Sequence, residues 1–216
     1  SRRPVGERAG LLKRAGDLLE ANTLELTALI AREAGRTLND GLDEVREAVD
    51  FCRYYAAQAE VLLGEVQELP GVTGETNQLR YSARGVWLCI SPWNFPLAIF
   101  VGQIAANLAV GNTVVAKPAE QTPLVARFAL HLFTQAGIES DVLSVLYGDG
   151  PNVGTPLVDD TRVRGVSFTG SHATALMINR QLARRTGPIT PFIAETGGIN
   201  CMFVDSTALP EQVIDD

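Results

Sequence analysis

Two short apolar runs, Val86–Ile90 and Thr113–Ala116, flank a longer stretch, Leu97–Val110, whose apolar residues recur at helical spacing. Runs of four or five β-rich residues without polar alternation suit strands covered on both faces. Buried strand, helix and buried strand together define a parallel β-α-β unit, because parallel neighbours need a crossover between them. Sheets of this kind gather their chemistry beyond the C-terminal ends of the strands. Polar, proline-rich loops stand at both such ends here: Ser91-Pro92-Trp93-Asn94-Phe95-Pro96 after the first, and Lys117-Pro118-Ala119-Glu120-Gln121-Thr122-Pro123 after the second.

The prolines of the first loop fix φ, remove two N–H donors and bias Ser91 and Phe95 away from helix. A loop this stiff presents the Asn94 amide in one direction, as an acyl-transfer site requires of an oxyanion donor. Asn94 is also placed to cap the following helix, and the loop alone leaves both readings open. In the second loop, Lys117 is one of two lysines against sixteen arginines. With Glu120 three residues on, it forms either a solvated ion pair of small worth or a nucleotide contact. In the latter, the carboxylate accepts from ribose hydroxyls and the ammonium donates.

The remaining chain supplies more elements of the same kind. Residues 4–63 read as three amphipathic helices, the second ending at Gly35 and the third running over Asp40–Leu63 with Cys52 on its apolar side. Val66–Leu69 and Asn77–Ser82 read as a hairpin around Pro70–Gly74. Leu124–Gln135 is a helix, and Val142–Tyr147 and Val163–Phe168 are strands. Thr169-Gly170-Ser171 then opens a helix from His172 to about Leu182, a natural anion site at a helix start, with Ser171 also suited as its N-cap. Ile189–Ala194 leads to Glu195, a candidate general base if partial burial raises its pKa, or else a turn residue satisfied by backbone N–H groups. Cys201–Val204 reads as a last strand. The run Gly148-Asp149-Gly150-Pro151-Asn152-Val153-Gly154 is spaced G-x-G-x-x-x-G, one residue too long for the dinucleotide fingerprint. A tight turn into a short helix accounts for it.

Taken together, SPWNFP (91–96), GNTVVAKPAEQTP (111–123), FTGS (168–171) and ETGG (195–198) resemble the NAD(P)-dependent aldehyde dehydrogenase superfamily, in that family's order. Their wording is most similar to the pyrroline-5-carboxylate (L-glutamate γ-semialdehyde) dehydrogenase part of bifunctional proline-catabolic enzymes. The resemblance implies an α/β fold: a Rossmann-like parallel sheet with flanking helices over 84–216, an N-terminal helical part over 1–64, and a hairpin at 65–83 from an incomplete oligomerisation sheet. It implies NAD as cofactor, with Ile90, Ser91, Trp93, Lys117, Glu120, Gly150, Gly154, Phe168, Thr169, Gly170 and Ser171 in contact with it. Asn94 becomes the oxyanion donor and Glu195 the base. Ala175 stands where the family often has a second glycine, which puts an extra methyl group near the diphosphate site.

The family's reaction needs a cysteine thiolate. The resemblance places that residue further past ETGG than the 21 residues that follow Glu195. Cys89 and Cys201 lie in apolar runs, where desolvation raises a thiol pKa and blocks access. The expectation is therefore a cofactor-binding piece without the catalytic domain, inactive alone, from a homo-oligomeric parent. That parent acts on a small aldehyde and can carry an FAD-dependent proline dehydrogenase domain. Two alternatives remain: part of another semialdehyde dehydrogenase, and a non-catalytic nucleotide-binding module.

Composition fits a globular core, at 46% hydrophobic and 20% charged residues. A net charge of −7 speaks against nucleic acid as the main partner. Three cysteines without paired or ligand-like spacing, and two distant histidines, point to a reducing, cytoplasmic setting and no metal site. No apolar run reaches the length of a membrane span.

Overall fold

The computed structural model describes residues 3–199 and 201–215. Ser1, Arg2, Asn200 and Asp216, which fall within the ranges 1–64 and 84–216 read above, lie outside them. Among the described residues, the strands β3 (Val86–Ile90), β4 (Thr113–Lys117), β5 (Leu143–Val145), β6 (Val163–Gly170) and β7 (Phe192–Thr196) form one sheet. All its pairings are parallel, in the order β5-β4-β3-β6-β7. The chain steps outward from β3 to β4 and β5, then returns to lay β6 on the other side of β3. That reversal opens a crevice at the C-terminal ends of β3 and β6.

β3 is central because it is apolar on both faces. Trp87 and Cys89 turn into one core and Leu88 into the other. The first core lies under α4 (Ala98–Ala109) and α5 (Pro123–Gln135), over which α1 (Val5–Ala21), α2 (Thr23–Ala34) and α3 (Leu38–Leu63) form a further helical layer. The second core, beneath the short α6 (Thr155–Asp159) and α7 (His172–Ala183), joins Leu88, Val166 and Phe168 to Ala175, Ile178 and Leu182. A Cβ at Gly165 would lie 2.3 Å from the Trp87 ring, so glycine there lets the indole lie flat on β6. The buried indole N–H donates to Ser167 Oγ at 2.8 Å, which satisfies it. Gly35 ends α2 at φ 68°, the left-handed conformation expected of a helix stop.

Several boundaries differ from the sequence reading. The hairpin strands are shorter, β1 (Gln67–Leu69) and β2 (Asn77–Leu79), and form a separate antiparallel pair. β7 starts late, at Phe192, because prolines at 188 and 191 cannot donate to a ladder. Gly150–Gly154 forms a single π-type turn that runs into α6, close to the turn and short helix expected. Cys201–Val204 is not a strand. It finds no ladder partner among the described residues, and all four residues are exposed. The short helix α8 (Pro210–Asp215) follows it. No described helix is long and apolar enough to cross a membrane.

Candidate active site

Strand register lines up the polar residues. Ile90 pairs with Lys117 on one side and with Phe168 on the other, and one step further on Thr169 pairs with Glu195. The strand ends therefore lie level, and their side chains and loops enclose an open cleft of about 690 Å³. Ile90, Ser91, Trp93 and Asn94 form its wall from the β3 side, and Lys117 and Glu120 that from β4. Phe168, Thr169, Gly170 and Ser171 close it along β6 and the start of α7, and Glu195 stands on the β7 rim. Gly150 and Gly154 lie next door, in a pocket of about 210 Å³ that shares Ile90, Lys117 and Glu120 with the cleft. Thus every candidate residue named from the sequence falls in two adjoining hollows.

The two readings of Asn94 can now be separated. Helix α4 starts at Ala98, after Leu97 as N-cap, with no side-chain cap from the loop. The N–H groups of Leu97 and Ala98 donate instead to Glu44 Oε1 of α3, at 2.7 and 3.2 Å. Asn94 therefore does not cap the helix. It is exposed in the cleft, and no hydrogen bond of its carboxamide occurs among the described residues.

Lys117, the last residue of β4, is only 4% exposed, unlike a solvated surface lysine. Its Nζ donates to the Pro118 carbonyl at 3.1 Å and stands 3.6 Å from Glu120 Oε2. The Glu120 side chain is about half exposed and faces the cleft. Ser171 is the N-cap of α7: its Oγ accepts from the Thr174 N–H at 3.2 Å and donates to Thr174 Oγ1 at 2.8 Å. The capping reading holds, and the first-turn N–H groups of a helix still point out of its N-terminal end. Gln103 of α4 ties the two central strands together, donating to the Ile90 carbonyl and to Thr169 Oγ1. Ser91 Oγ is buried in the cleft wall with no partner among the described residues.

Two expectations need correction. Glu195 is exposed rather than partly buried, because β7 is an edge of the described sheet and no described strand pairs on its outer side. Cys201 is exposed as well, so burial does not disqualify it. Cys89 and Cys52 are buried as expected; burial pushes the Cys52 thiol up to about 12 and that of Cys89 higher still. Among the described residues, no three His, Cys, Asp or Glu side chains are grouped to hold a metal.

A parallel sheet with a crevice at its switch point, rimmed by an amide, a buried ammonium, two carboxylates and a helix start, suits a dinucleotide-dependent enzyme. The sequence matches the model of the aldehyde dehydrogenase family over residues 1–216, and the chain belongs to that family. It is 49% identical over 216 residues to the bifunctional protein PutA of Escherichia coli (strain K12), covering 99% of this chain and 15% of that protein. A solved point mutant of Bradyrhizobium japonicum proline utilization A superposes with a TM-score of 0.97 at 55% identity, covering 100% of this chain and 22% of the other. A 1-pyrroline-5-carboxylate dehydrogenase from Thermus, solved with bound NAD, superposes with a TM-score of 0.88 at 37% identity over 91% of this chain and 39% of that one. The chain thus spans 15–16% of the PutA relatives it matches.

Proposed function

We propose that this chain is the NAD-binding part of a dehydrogenase that oxidises L-glutamate γ-semialdehyde, the hydrolysed form of pyrroline-5-carboxylate, to glutamate in proline catabolism. The observation that carries the reading is the level row of strand ends, which brings Asn94, Lys117, Ser171 and Glu195 to one cleft. The substrate assignment rests on the likeness to proline utilization A and pyrroline-5-carboxylate dehydrogenases. In the same reading the parent is a cytoplasmic homo-oligomer whose oligomerisation sheet includes the β1–β2 hairpin. It carries a proline dehydrogenase domain elsewhere in its chain, as the word bifunctional in the relatives' name suggests.

The residues fit NAD. Buried Lys117 and half-exposed Glu120 are set to hold the adenosine ribose, the carboxylate accepting from its hydroxyls and the ammonium donating. Gly150 and Gly154 leave room for the base beside them. The α7 start, with Ser171, offers N–H donors and a positive dipole end to the diphosphate. Ser91 Oγ is a buried polar group waiting for a partner in that cleft. Glu120 disfavours a 2′-phosphate, so NAD is preferred to NADP.

Bound NAD supplies the hydride acceptor. Asn94 donates to the oxygen of the carbonyl as a thiolate attacks it, stabilising charge that develops in the transition state. Glu195 takes a proton from the water that releases the acid. The resemblance assigns the thiolate to none of this chain's cysteines. Cys52 and Cys89 are buried, and burial pushes both thiols up, while the family resemblance puts the nucleophile further from the ETGG motif than Cys201.

The test is semialdehyde oxidation by the full-length natural protein, with Asn94→Ala and Glu195→Gln. Each variant is expected to lose about 10²-fold or more in kcat. Unchanged turnover in either would remove that residue from the mechanism.

A further inference from the structure

Asn94 must hold its amide in place while sitting on an exposed loop, and the prolines at 92 and 96 restrict that loop without tethering it. The tether comes from two side chains more than 45 residues earlier. Arg36, between Gly35 and the start of α3, donates from Nη1 to the Asn94 carbonyl at 3.0 Å. Its guanidinium carbon lies 4.2 Å from the centre of the Phe95 ring, a cation–π contact on the next residue. The same guanidinium stands 3.9 Å from Asp40 Oδ1 and 3.8 Å from Glu44 Oε2, which orient it from the α3 side. Glu44, fully buried, takes the N–H groups of Leu97 and Ala98 with its other oxygen. Residues 94, 95, 97 and 98 are therefore pinned on both sides of Pro96 by one arginine and one carboxylate.

We propose that Arg36 and Glu44 are positioning residues that hold Asn94 at the angle its oxyanion contact requires. The proposal rests on Asn94 being that donor. Neither side chain lines the cleft, so both act through the loop and leave the cofactor contacts of Lys117, Glu120 and Ser171 alone. A fork that donates and stacks at once is a property of arginine that lysine lacks. At Glu44, by contrast, the geometry asks for an acceptor oxygen, which glutamine retains.

The experiment is steady-state oxidation and NAD calorimetry on the full-length natural protein carrying Arg36→Lys, Glu44→Gln or Glu44→Ala, with Arg36→Lys also placed in an Asn94→Ala background. Arg36→Lys keeps a cation beside Asp40 and Glu44, so the fold is expected to survive. It should lower kcat about tenfold while the Kd for NAD moves less than about twofold. Glu44→Ala should lose kcat similarly and Glu44→Gln should restore it to within about threefold. In the Asn94→Ala background, Arg36→Lys should cost less than about a further twofold, since there is no amide left to aim. Natural turnover in Arg36→Lys, or a full second tenfold loss in the double variant, would overturn the proposal. If Asn94→Ala itself keeps full turnover, the oxyanion reading fails and this inference goes with it. Collapse of Asn94→Ala beside an unaffected Arg36→Lys would sink the inference alone.

Discussion

The β3 and β7 ends of the sheet bear the two residues proposed to do chemistry, yet they are built in opposite ways. Asn94 follows the central strand and is fastened by two prolines, an arginine fork and a buried carboxylate. Glu195 stands one residue before the end of the edge strand, where Ile193 is 54% exposed and no described strand pairs along the outer side. A group that must offer one donor at one angle gains from being fixed. A base that takes a proton from mobile water needs access, which the edge position gives.

The largest effect that would break this contrast is a stability difference between the two strands. Leu88→Ala removes a fully buried side chain from the second core and is expected to cost about 2–5 kcal/mol, whereas Ile193→Ala should cost under about 1 kcal/mol in the absence of a covering element. Chemical denaturation compares the two. A large cost at Ile193 in the full-length protein would show that the rim is covered there. Next in size is NAD over NADP selectivity: Glu120→Ala is expected to narrow it by about tenfold, read from the ratio of kcat/KM values for the two cofactors. Unchanged selectivity would move the ribose elsewhere.

The smallest effect concerns Glu44 and pH. Burial pushes its carboxyl above the ordinary value of 4.5, outweighing the pull of the Leu97 and Ala98 N–H groups and of Arg36. A carboxyl that holds its proton more tightly when folded adds stability below its unfolded pKa, and that contribution is lost as pH rises through the folded value. Glu44→Gln should therefore melt like the natural protein at about pH 4 and somewhat above it at about pH 8. The reverse order at about pH 8 would mean that ionised Glu44 stabilises the fold through its N–H partners.

How much of this was legible in the sequence follows the range of each interaction. The β3-α4-β4 unit was readable because apolar periodicity is local, and so was the stop at Gly35. The family motifs led to the cleft residues because strand ends carry chemistry in this fold. The loop alone fits two roles for Asn94, because the group that takes the Leu97 N–H, Glu44, lies 53 residues before Leu97 in the chain. Neither Arg36 nor Glu44 carries a local signal: an arginine after a glycine and a glutamate on an amphipathic helix read as surface. Cys201–Val204 has the composition of a strand, but a strand exists only with a partner, and composition is silent on partners. The exposure of Glu195 is silent in the sequence for the same reason, since burial depends on which strand lies at the edge.

The central claim is that one rim of strand ends binds NAD through Lys117 and Ser171. Calorimetric titration of the full-length natural protein with NAD, repeated on Lys117→Ala and Ser171→Ala, tests it most directly. Charged hydrogen bonds of this kind contribute about 1.5–3 kcal/mol, so Lys117→Ala should weaken binding by about 10–100-fold, and Ser171→Ala by less. Affinity unchanged in both variants would contradict the account.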